Sequence, residues 1–391
     1  MSAGERLLEL YPDMIGWRRH LHRNPELSYQ EERTAAFIAQ KLEQFGIKVT
    51  RNVGGYGVVG DLDGPKAGPR VALRADMDAL PIQDEKSCAY ASEVPGVMHA
   101  CGHDGHVAAL LGAAQWLAEK RDLLAGSVRF IFQPAEELSP GGAAPMIRDG
   151  VLDGVDVIYG AHLWTPFPVG EVYTRSGPIM AAADEFMLEI IGRGGHGGLP
   201  HETVDSLVVA SHLVINLQSI VSRNLNPVEP SVISVGSFHG GTGFNVIAER
   251  SLLNGTVRTF KQELRDQAQA RIEKVTEDTC SMFEATYRLD YKLGYPPVIN
   301  HARETEQVFE TGKRIFGEDK VKEAPLIMAG EDFSFYLERV PGCFFFVGAG
   351  NAGKGITAPH HHPRFDIDEQ AILQASRLLA ELAADKLIGT N

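Results

Sequence analysis

The side chains best suited to binding a metal ion lie far apart along this chain. A thiol and three imidazoles fall within residues 99–106, two adjacent carboxylates follow at Glu136 and Glu137, one histidine stands at His162, and three consecutive histidines occupy 360–362. Thiolate, imidazole and carboxylate are the groups that catalytic metal centres use as ligands. If they form one site, folding must bring the early part of the chain to its C-terminal end. We therefore expect the metal centre of a hydrolase.

The length and charge of the chain limit its organisation and its partners. At 391 residues it exceeds what one hydrophobic core usually supports, so we expect two domains. A net charge of −14 disfavours nucleic acid and anionic membrane surfaces as partners, and no apolar run could span a bilayer. The N-terminal residues lack the apolar segment of a secretory signal, and the four widely spaced cysteines are typical of reduced thiols. These features predict a cytoplasmic protein.

Polar residues follow the predicted strands in the first part of the chain. Short apolar stretches predict strands at 57–61, 71–75, 128–132 and 157–161. Candidate residues come directly after three of them: Asp76, Asp78, Glu136, Glu137 and His162. Ligand sites of open α/β sheets gather at the carboxyl ends of the strands. We therefore expect these side chains to lie close together.

Local capping signals mark two predicted helix starts. Ser28 and Glu31 have the spacing of a capping box for a helix over 29–45. Asp104 is expected to cap a later helix, which would leave His103 in the loop just before its N-terminus.

The pattern changes after residue 183. A strand–helix–strand–strand–helix–strand succession is predicted at 185–192, 204–222, 231–238, 250–259, 263–283 and 285–293. This order is the split βαβ arrangement of ferredoxin-like modules. Because 184–295 contains none of the Cys and Glu metal candidates, we interpret it as an inserted domain. The catalytic domain would then consist of 1–183 and 296–391.

Each candidate residue also has a purely structural interpretation. An isolated Cys is often a small core residue, but Cys101 lies beside glycine in a stretch without apolar periodicity. Adjacent acids are commonly solvated, yet consecutive extended residues point in opposite directions. One of Glu136 and Glu137 can therefore bind metal while the other moves a proton. His162 alone is compatible with a core histidine, and 360–362 with a chance cluster.

Seven motifs in order make the chain resemble a known family. They lie at 19–28, 73–81, 99–106, 132–137, 192–201, 330–333 and 361–365. The chain is similar to the metal-dependent aminoacylase/carboxypeptidase superfamily, and within it to the amidohydrolase branch of hippurate hydrolases and indole-acetyl-amino-acid hydrolases. The resemblance covers nearly the whole chain. It implies an α/β fold, in which a mixed-sheet, zinc-peptidase-like catalytic domain carries an inserted ferredoxin-like α+β dimerisation or lid domain.

The resemblance also implies a binuclear centre of two divalent ions per subunit, Mn²⁺ or Zn²⁺, with Co²⁺ or Ni²⁺ as further candidates. The implied ligands are Cys101, His103, Glu137, His162 and His361. The family pattern places proline two residues, and an aromatic residue four residues, after the last ligand. This spacing selects His361, although His360 and His362 remain alternatives within the run of three.

Glu136 is the general base that the resemblance implies. Asp78 is expected to orient a ligand from behind and not to bind metal itself. Related carboxypeptidases have His at the position of Asp76, so Asp76 is not counted as a ligand.

The inserted domain supplies three further residues. The resemblance makes His196, in a glycine-rich loop, the oxyanion-stabilising histidine, which reaches the site across a homodimer formed through 184–295. An exposed turn histidine is the alternative. Asn245 and Arg258 are the implied contacts of the substrate carboxylate. Ala248 stands where many relatives have Pro, a departure that leaves the chemistry in place.

These assignments predict hydrolysis of N-acyl or N-aroyl amino acids, of the hippurate type, to a carboxylic acid and a free amino acid. An N-acetyl-diaminopimelate deacetylase or a dipeptidase of the same superfamily is the nearest alternative. A Cys–His hydrolase with Cys101 as nucleophile and a non-enzymatic metal-binding protein are alternatives of other classes. Glu136 favours an enzyme, because a closed structural zinc site has four ligands and no use for an acid beside them.

Overall fold

The computed structural model describes residues 3–388. Its helices are α1 (Ala3–Arg23), α2 (Glu32–Gln44), α3 (His103–Glu119), α4 (Ala143–Arg148), α5 (Ser206–Ser219), α6 (Gln262–Met282), α7 (Ala302–Phe316), α8 (Ser334–Leu337) and α9 (Gln370–Leu387). Its strands are β1 (Lys48–Val53), β2 (Gly57–Asp63), β3 (Lys66–Asp76), β4 (Ala125–Gln133), β5 (Val157–Pro168), β6 (Val172–Thr174), β7 (Gly177–Met180), β8 (Ala183–Ile191), β9 (Gly195–His196), β10 (Ser231–Gly240), β11 (Val246–Ile247), β12 (Arg250–Thr259), β13 (Thr286–Tyr295), β14 (Val298–Asn300), β15 (Val321–Glu323) and β16 (Gly342–Gly350).

The chain divides into two compact units. The first comprises Met1–Ile179, Ile299–Pro325 and Asp332–Asn391, and the second comprises Met180–Val298 and Leu326–Glu331. The first unit is therefore built from separate stretches of sequence, with the second inserted between them.

The first unit is built on an eight-stranded mixed sheet with the strand order β1-β2-β4-β3-β5-β16-β6-β15. The four central strands β4, β3, β5 and β16 run parallel, whereas β2 and β6 join them in the antiparallel direction. A mixed α/β sheet is what the family resemblance implied. Parallel strands end at a common edge, where β3 ends at Asp76 and β4 at Gln133.

The core of the first unit lies between this sheet and its helices. Leu73, Phe130 and Phe345 are fully buried in one cluster with apolar residues of α1, α3 and α9. Arg74 follows Leu73 and so points to the opposite face. There its guanidinium lies 5.8 Å from the ring centroid of Phe333.

His162 lies inside a strand and not after one. The sequence predicted that the strand ends at Ala161, because a polar residue interrupts the apolar run. In the structure β5 continues to Pro168, and its parallel pairing with β16 runs through His162 and Trp164. Backbone pairing does not depend on the polarity of the side chain, so a buried histidine with partners fits within the strand.

Both predicted caps are wrong. Within the described residues, neither Glu31 before α2 nor Gly102 before α3 makes a side-chain cap. The carboxylate of Glu26 instead accepts the N–H of Thr34 at 2.8 Å, in the first turn of α2. Asp104 lies within the first turn of α3, and its carboxylate accepts hydrogen bonds from Arg18. The side chains that a local capping motif would use are instead bonded to residues far away in the sequence.

The second unit contains a four-stranded antiparallel sheet with the strand order β10-β12-β8-β13. Helices α5 and α6 follow β8 and β12, as the ferredoxin-like pattern predicted. They bury one face of the sheet around Leu188, Leu213 and Ile272. The short strands β9 and β11 form a separate antiparallel pair.

No helix among residues 3–388 is both long and apolar enough to cross a membrane.

Candidate metal centre

Predicted metal ligands from distant parts of the sequence meet in the first unit. Sγ of Cys101 lies 3.5 Å from Nε2 of His162. Oε1 of Glu137 lies 3.7 Å from Nε2 of His103 and 3.3 Å from Nε2 of His361. The fold therefore brings residues after β4, in β5, at the start of α3 and near the C-terminus into one cluster.

Cys101 belongs to two groups of potential ligand atoms. One group contains Cys101, His103 and Glu137, and the other contains Cys101, His162 and His360. Within each group the atoms lie within 4.8 Å of one another. Ions of two-metal sites lie about 3.5–4 Å apart, a separation that one shared sulfur can bridge.

Backbone geometry directs these side chains to the same place. Gly102 has φ 91, which glycine adopts without strain, and α3 begins at the next residue. His361 has φ 64, and its N–H donates to the carbonyl oxygen of Ala100 at 2.8 Å. That bond ties the C-terminal segment to the Cys101 loop. A non-glycine residue in the left-handed region persists only where its surroundings hold it, and such residues cluster at functional sites.

Two histidines are bonded through Nδ1 and turn Nε2 toward the cluster. Nδ1 of His103 lies 3.2 Å from Oδ1 of Asp78, and Nδ1 of His162 lies 3.0 Å from the carbonyl oxygen of Leu163. Both partners can only accept, so each Nδ1 carries the proton. Nε2 is therefore the ring nitrogen that can bind a cation, which in His103 takes the place of a proton.

In two other histidines, both ring nitrogens face partners within the protein. Nε2 of His106 accepts the N–H of Leu163 at 2.9 Å, and Nε2 of His360 accepts the N–H of Thr165 at 3.2 Å. Their protons therefore lie on Nδ1. In His106 that atom lies 2.5 Å from Oδ1 of Asp76, and in His360 it lies 3.6 Å from Sγ of Cys101. Neither ring has a lone pair left for a metal ion.

Asp76, the last residue of β3, and Asp78, two residues later, face partners within the protein. Oδ2 of Asp78 accepts hydrogen bonds from Oγ of Ser28 at 2.6 Å and from the N–H of Glu137 at 3.1 Å. Together with its contact to His103, this is the arrangement of a carboxylate that orients a ligand. Asp76 is paired with Arg74 at 2.6 Å.

The cluster has a surplus of buried negative charge. Burial, followed by the carboxylates of Glu137 and Glu136, raises the pKa of the Cys101 thiol well above its ordinary value. Burial by itself lowers the pKa of His103, but nearby carboxylates, Asp76 foremost, raise it to about 10. Cations offset such a surplus, and a thiol ionises when it binds them.

Two buried atoms of the cluster make no hydrogen bond within the part of the chain that the structure describes. They are Nε2 of His103 and Oε1 of Glu137. Buried polar atoms normally have a partner, so each exception calls for an explanation such as an ion. With the free Nε2 of His162 beside the Cys101 sulfur, the residues fit a pair of divalent cations.

The second unit holds the remaining three candidates. His196 in β9 pairs with Val246 of β11, and the N–H of Gly197 donates to the carbonyl oxygen of Asn245 at 2.8 Å. A Cβ at position 197 would lie 2.9 Å from that oxygen, so this close approach requires glycine. His196 and Asn245 therefore occupy neighbouring positions of one short antiparallel strand pair, and both are exposed.

Arg258 lies in β12 beside a cavity of about 450 Å³ in the second unit. Glu185, Asn254 and Lys292 also line this cavity. The guanidinium donates to the carbonyl oxygen of Val257 at 3.1 Å. Burial lowers the pKa of Arg258.

Sequence reasoning did not identify the supporting roles of His106, His360 and Arg74. Arg74 donates to Asp76, to Gln133 at 2.9 Å and to Asp332 at 3.0 Å. His106 and Arg74 lie within two of the sequence motifs. The motifs indicate that such residues matter, but their partners become visible only in the folded chain.

Comparisons with known proteins show similarity along most of the chain. The family model described as peptidase family M20/M25/M40 matches residues 72–385. The chain is 48% identical over 293 residues to the N-acyl-L-amino acid amidohydrolase of Geobacillus stearothermophilus, which covers 75% of this chain and 79% of that protein. It is 43% identical over 385 residues to the N-acetyl-L-cysteine deacetylase of Bacillus subtilis (strain 168), with coverage of 98% and 90%.

A solved structure shows the same likeness. It is the crystal structure of the Bacillus subtilis YXEP protein, described as a dinuclear metal-binding peptidase from the M20 family. It superposes with a TM-score of 0.83 at 35% sequence identity, over 96% of this chain and 98% of that chain.

Proposed function

Because the chain belongs to peptidase family M20/M25/M40 and is a hydrolase of carbon–nitrogen amide bonds, we propose that it cleaves N-acyl amino acids, hippurate-type substrates among them, with two divalent metal ions as cofactors. The observation that carries the proposal is the pair of ligand groups that share Cys101 beside Glu136. The products are a carboxylic acid and a free amino acid.

The hydrogen bonds of the imidazoles support the proposed ligand set of Cys101, His103, Glu137, His162 and His361. The rings of His103 and His162 have a free Nε2, and Nε2 of His361 faces Glu137. His360 is assigned another role, because its Nε2 is occupied by a backbone N–H. Its Nδ1–H faces the Cys101 sulfur and would donate a hydrogen bond to the thiolate.

The proposed chemistry is hydrolysis without a covalent intermediate on the protein. Divalent ions at such a site polarise a carbonyl group and lower the pKa of water. Glu136, whose Oε2 lies 4.0 Å from Nε2 of His103, takes the proton of the attacking water and passes it to the leaving nitrogen.

The residues of the second unit have proposed roles in binding the substrate. His196 would stabilise the oxyanion by donating a hydrogen bond. Arg258 and Asn245 would bind the free α-carboxylate, since a guanidinium can contact a carboxylate through two parallel hydrogen bonds.

The names of the relatives support the substrate class. One is named for N-acyl-L-amino acids and the other for N-acetyl-L-cysteine. Both kinds of molecule have an amide whose nitrogen belongs to an amino acid. We therefore expect specificity for the amino-acid half and for its free carboxylate.

A substrate panel tests the proposal. The protein is stripped with a chelator, reloaded with Mn²⁺ or Zn²⁺, and assayed on N-benzoylglycine, N-acetyl amino acids, N-acetyl-diaminopimelate and dipeptides. N-benzoylglycine amide, which lacks the free carboxylate, is the control substrate. We expect no activity without metal, recovery on reloading, and poor cleavage of the control.

Other outcomes would replace the proposal. Cleavage of dipeptides alone would assign a dipeptidase, and cleavage of N-acetyl-diaminopimelate alone would assign a deacetylase of that compound. Activity that survives metal removal but not thiol alkylation would assign a Cys–His hydrolase. Two bound ions without hydrolysis of any amide would indicate a non-enzymatic metal-binding protein.

A further inference from the structure

A buried carboxylate outside the proposed ligand set holds the turn that carries Glu136. Oε1 of Glu31 accepts a hydrogen bond from the backbone N–H of Ala135 at 2.8 Å, across 104 positions of sequence. Glu31 and Ala135 are both fully buried. Ala135 directly precedes Glu136, so this bond acts on the backbone from which the proposed base projects.

The turn requires such support because Ala135 adopts a left-handed conformation. Its φ is 52, where the Cβ of an L-residue is crowded. The preceding residue, Pro134, has no N–H, so the Ala135 N–H is the first donor after β4. The carbonyl oxygen of Ala135 accepts the N–H of Gly142 at 3.0 Å. Both backbone polar groups of Ala135 are therefore bonded, which sets the direction in which the chain leaves the strand.

A second carboxylate holds the other side of Glu136. The N–H of Glu137 donates to Oδ2 of Asp78, which also accepts the hydroxyl of Ser28. The amides immediately before and after Glu136 are thus both bound by buried carboxylates. Ser28 and Glu31 lie three residues apart in the loop before α2. One short segment therefore supports both carboxylates that bind the amides on either side of Glu136.

Burial of the Glu31 carboxylate costs free energy. A residue without a role would not be expected to have a carboxylate at this position. Burial, with a further contribution from Asp78, raises the pKa of Glu31 to about 7. Within residues 3–388 its Oε2 has no hydrogen-bond partner. An uncharged side chain would be easier to bury at this position.

We infer that Glu31 is a positioning residue for the reaction: by holding the amide of Ala135 in the left-handed turn, it directs the side chain of Glu136. The inference rests on the proposed function of Glu136 as the base. It concerns the orientation of the base and assigns Glu31 no contact with substrate or metal.

Substitution of Glu31 provides the first test. Glu31→Ala removes the acceptor and should lower kcat about 10- to 100-fold, because small displacements of a catalytic group have effects of that size. KM and metal content should stay close to those of the unaltered protein. Glu31→Gln, whose amide oxygen can accept the same N–H, should retain most of kcat. Glu31→Asp withdraws the carboxylate by one methylene group and should lower kcat several-fold, which provides a second variant should Glu31→Ala not fold.

Glu26→Ala is the matched control. Glu26 lies in the same segment, and its carboxylate accepts a backbone N–H in the same way, but at Thr34 in the first turn of α2. It should lower thermal stability and leave kcat unchanged. Equal losses of kcat in Glu26→Ala and Glu31→Ala would show a general structural effect and overturn the inference.

A second substitution, at Ala135, is expected to restore part of the kcat that Glu31→Ala loses. Glycine adopts φ 52 without strain, so Ala135→Gly should allow the turn to form without its acceptor. Glu31→Ala with Ala135→Gly should therefore have a higher kcat than Glu31→Ala alone. A kcat no higher than in the single variant would contradict the role of the turn.

Hydrogen exchange separates this inference from the proposed function. The amide of Ala135 should exchange at least about tenfold faster in Glu31→Ala and at an unchanged rate in Glu26→Ala. If the unaltered protein hydrolyses no amide, the proposed function fails while this measurement still tests the hold of Glu31 on the turn. An unchanged exchange rate at Ala135 in Glu31→Ala would overturn the inference whatever the activity.

Discussion

The imidazole nitrogens already bonded to the protein distinguish the proposed metal ligands from the histidines proposed to support them. His103 and His162 each donate through Nδ1 and keep Nε2 free, whereas His106 and His360 accept a backbone N–H at Nε2. Identical side chains in one cluster thus have different chemical capacities.

Glu136→Gln should keep both metal ions and lower kcat by about 10²- to 10⁴-fold, the usual size of a general-base contribution. The substitution removes the proton acceptor and leaves the proposed ligands in place. Elemental analysis checks the metal content, and steady-state kinetics checks kcat. Loss of metal from this variant would mean that Glu136 and Glu137 have exchanged roles.

His361→Ala and His360→Ala form a matched pair of neighbours. His361→Ala should lose about one of the two ions, because it removes a ligand. His360→Ala should keep both ions at saturating metal, with an affinity about 10- to 100-fold lower, the usual effect of losing a group that supports a ligand. Metal titration followed by elemental analysis checks both. The reverse pattern would place the ligand at His360.

At the scale of elements, the start of α3 is held by α1. Arg18 of α1 is fully buried and donates to Asp104 in the first turn of α3 at 2.8 Å. It also pairs with Asp366 at 2.6 Å and Glu369 at 3.3 Å, just before α9. One guanidinium therefore links three parts of the first unit, and one of its partners, Asp104, directly follows His103.

Arg18→Met should destabilise the protein by about 3–5 kcal/mol, because it leaves buried carboxylates without their partner. Arg19→Met is the control on the same helix. Arg19 also pairs with Glu369, but its side chain is 43% exposed, and partly exposed pairs contribute less than about 1 kcal/mol. Urea unfolding of both variants gives the comparison. Similar losses would show that burial does not set the strength of this network.

At the scale of the whole molecule, the second unit has features of an association surface. Strand β10 is an outer strand of its sheet, and outer strands can pair with another chain. Val208 and Ile215, one heptad apart on α5, are 45% and 69% exposed. These features support the proposed homodimer through 184–295, in which His196 would act on the site of the partner subunit.

Mixing two inactive variants tests that proposal. If His196 acts across the dimer, His196→Ala and Glu136→Gln subunits should recover activity on exchange, because one site of each heterodimer then has both groups. The control mixes Glu136→Gln with the double variant Glu136→Gln/His196→Ala and should stay inactive. Absence of recovery despite demonstrated exchange, or a monomer on sizing, would place His196 in its own subunit's site or outside the reaction.

The sequence by itself determined the α/β class, the ferredoxin-like order of the second unit and the kinds of residue in the candidate site. These features depend on periodicity and on side-chain type, which neighbours in sequence already specify. Strand β12, for example, matches its predicted range of 250–259. The family resemblance then identified individual candidates.

Only the tertiary structure decided what several of these residues do. Ser28 and Glu31 read as a local capping box, yet their partners are Asp78 and Ala135, 50 and 104 positions away. Likewise, Nε2 of His360 is an acceptor because folding places the backbone N–H of Thr165 next to the ring. The sequence around His360 does not specify this contact. A polar side chain bonds whichever partner folding brings within about 3 Å. Its role therefore depends on distances that sequence spacing does not specify.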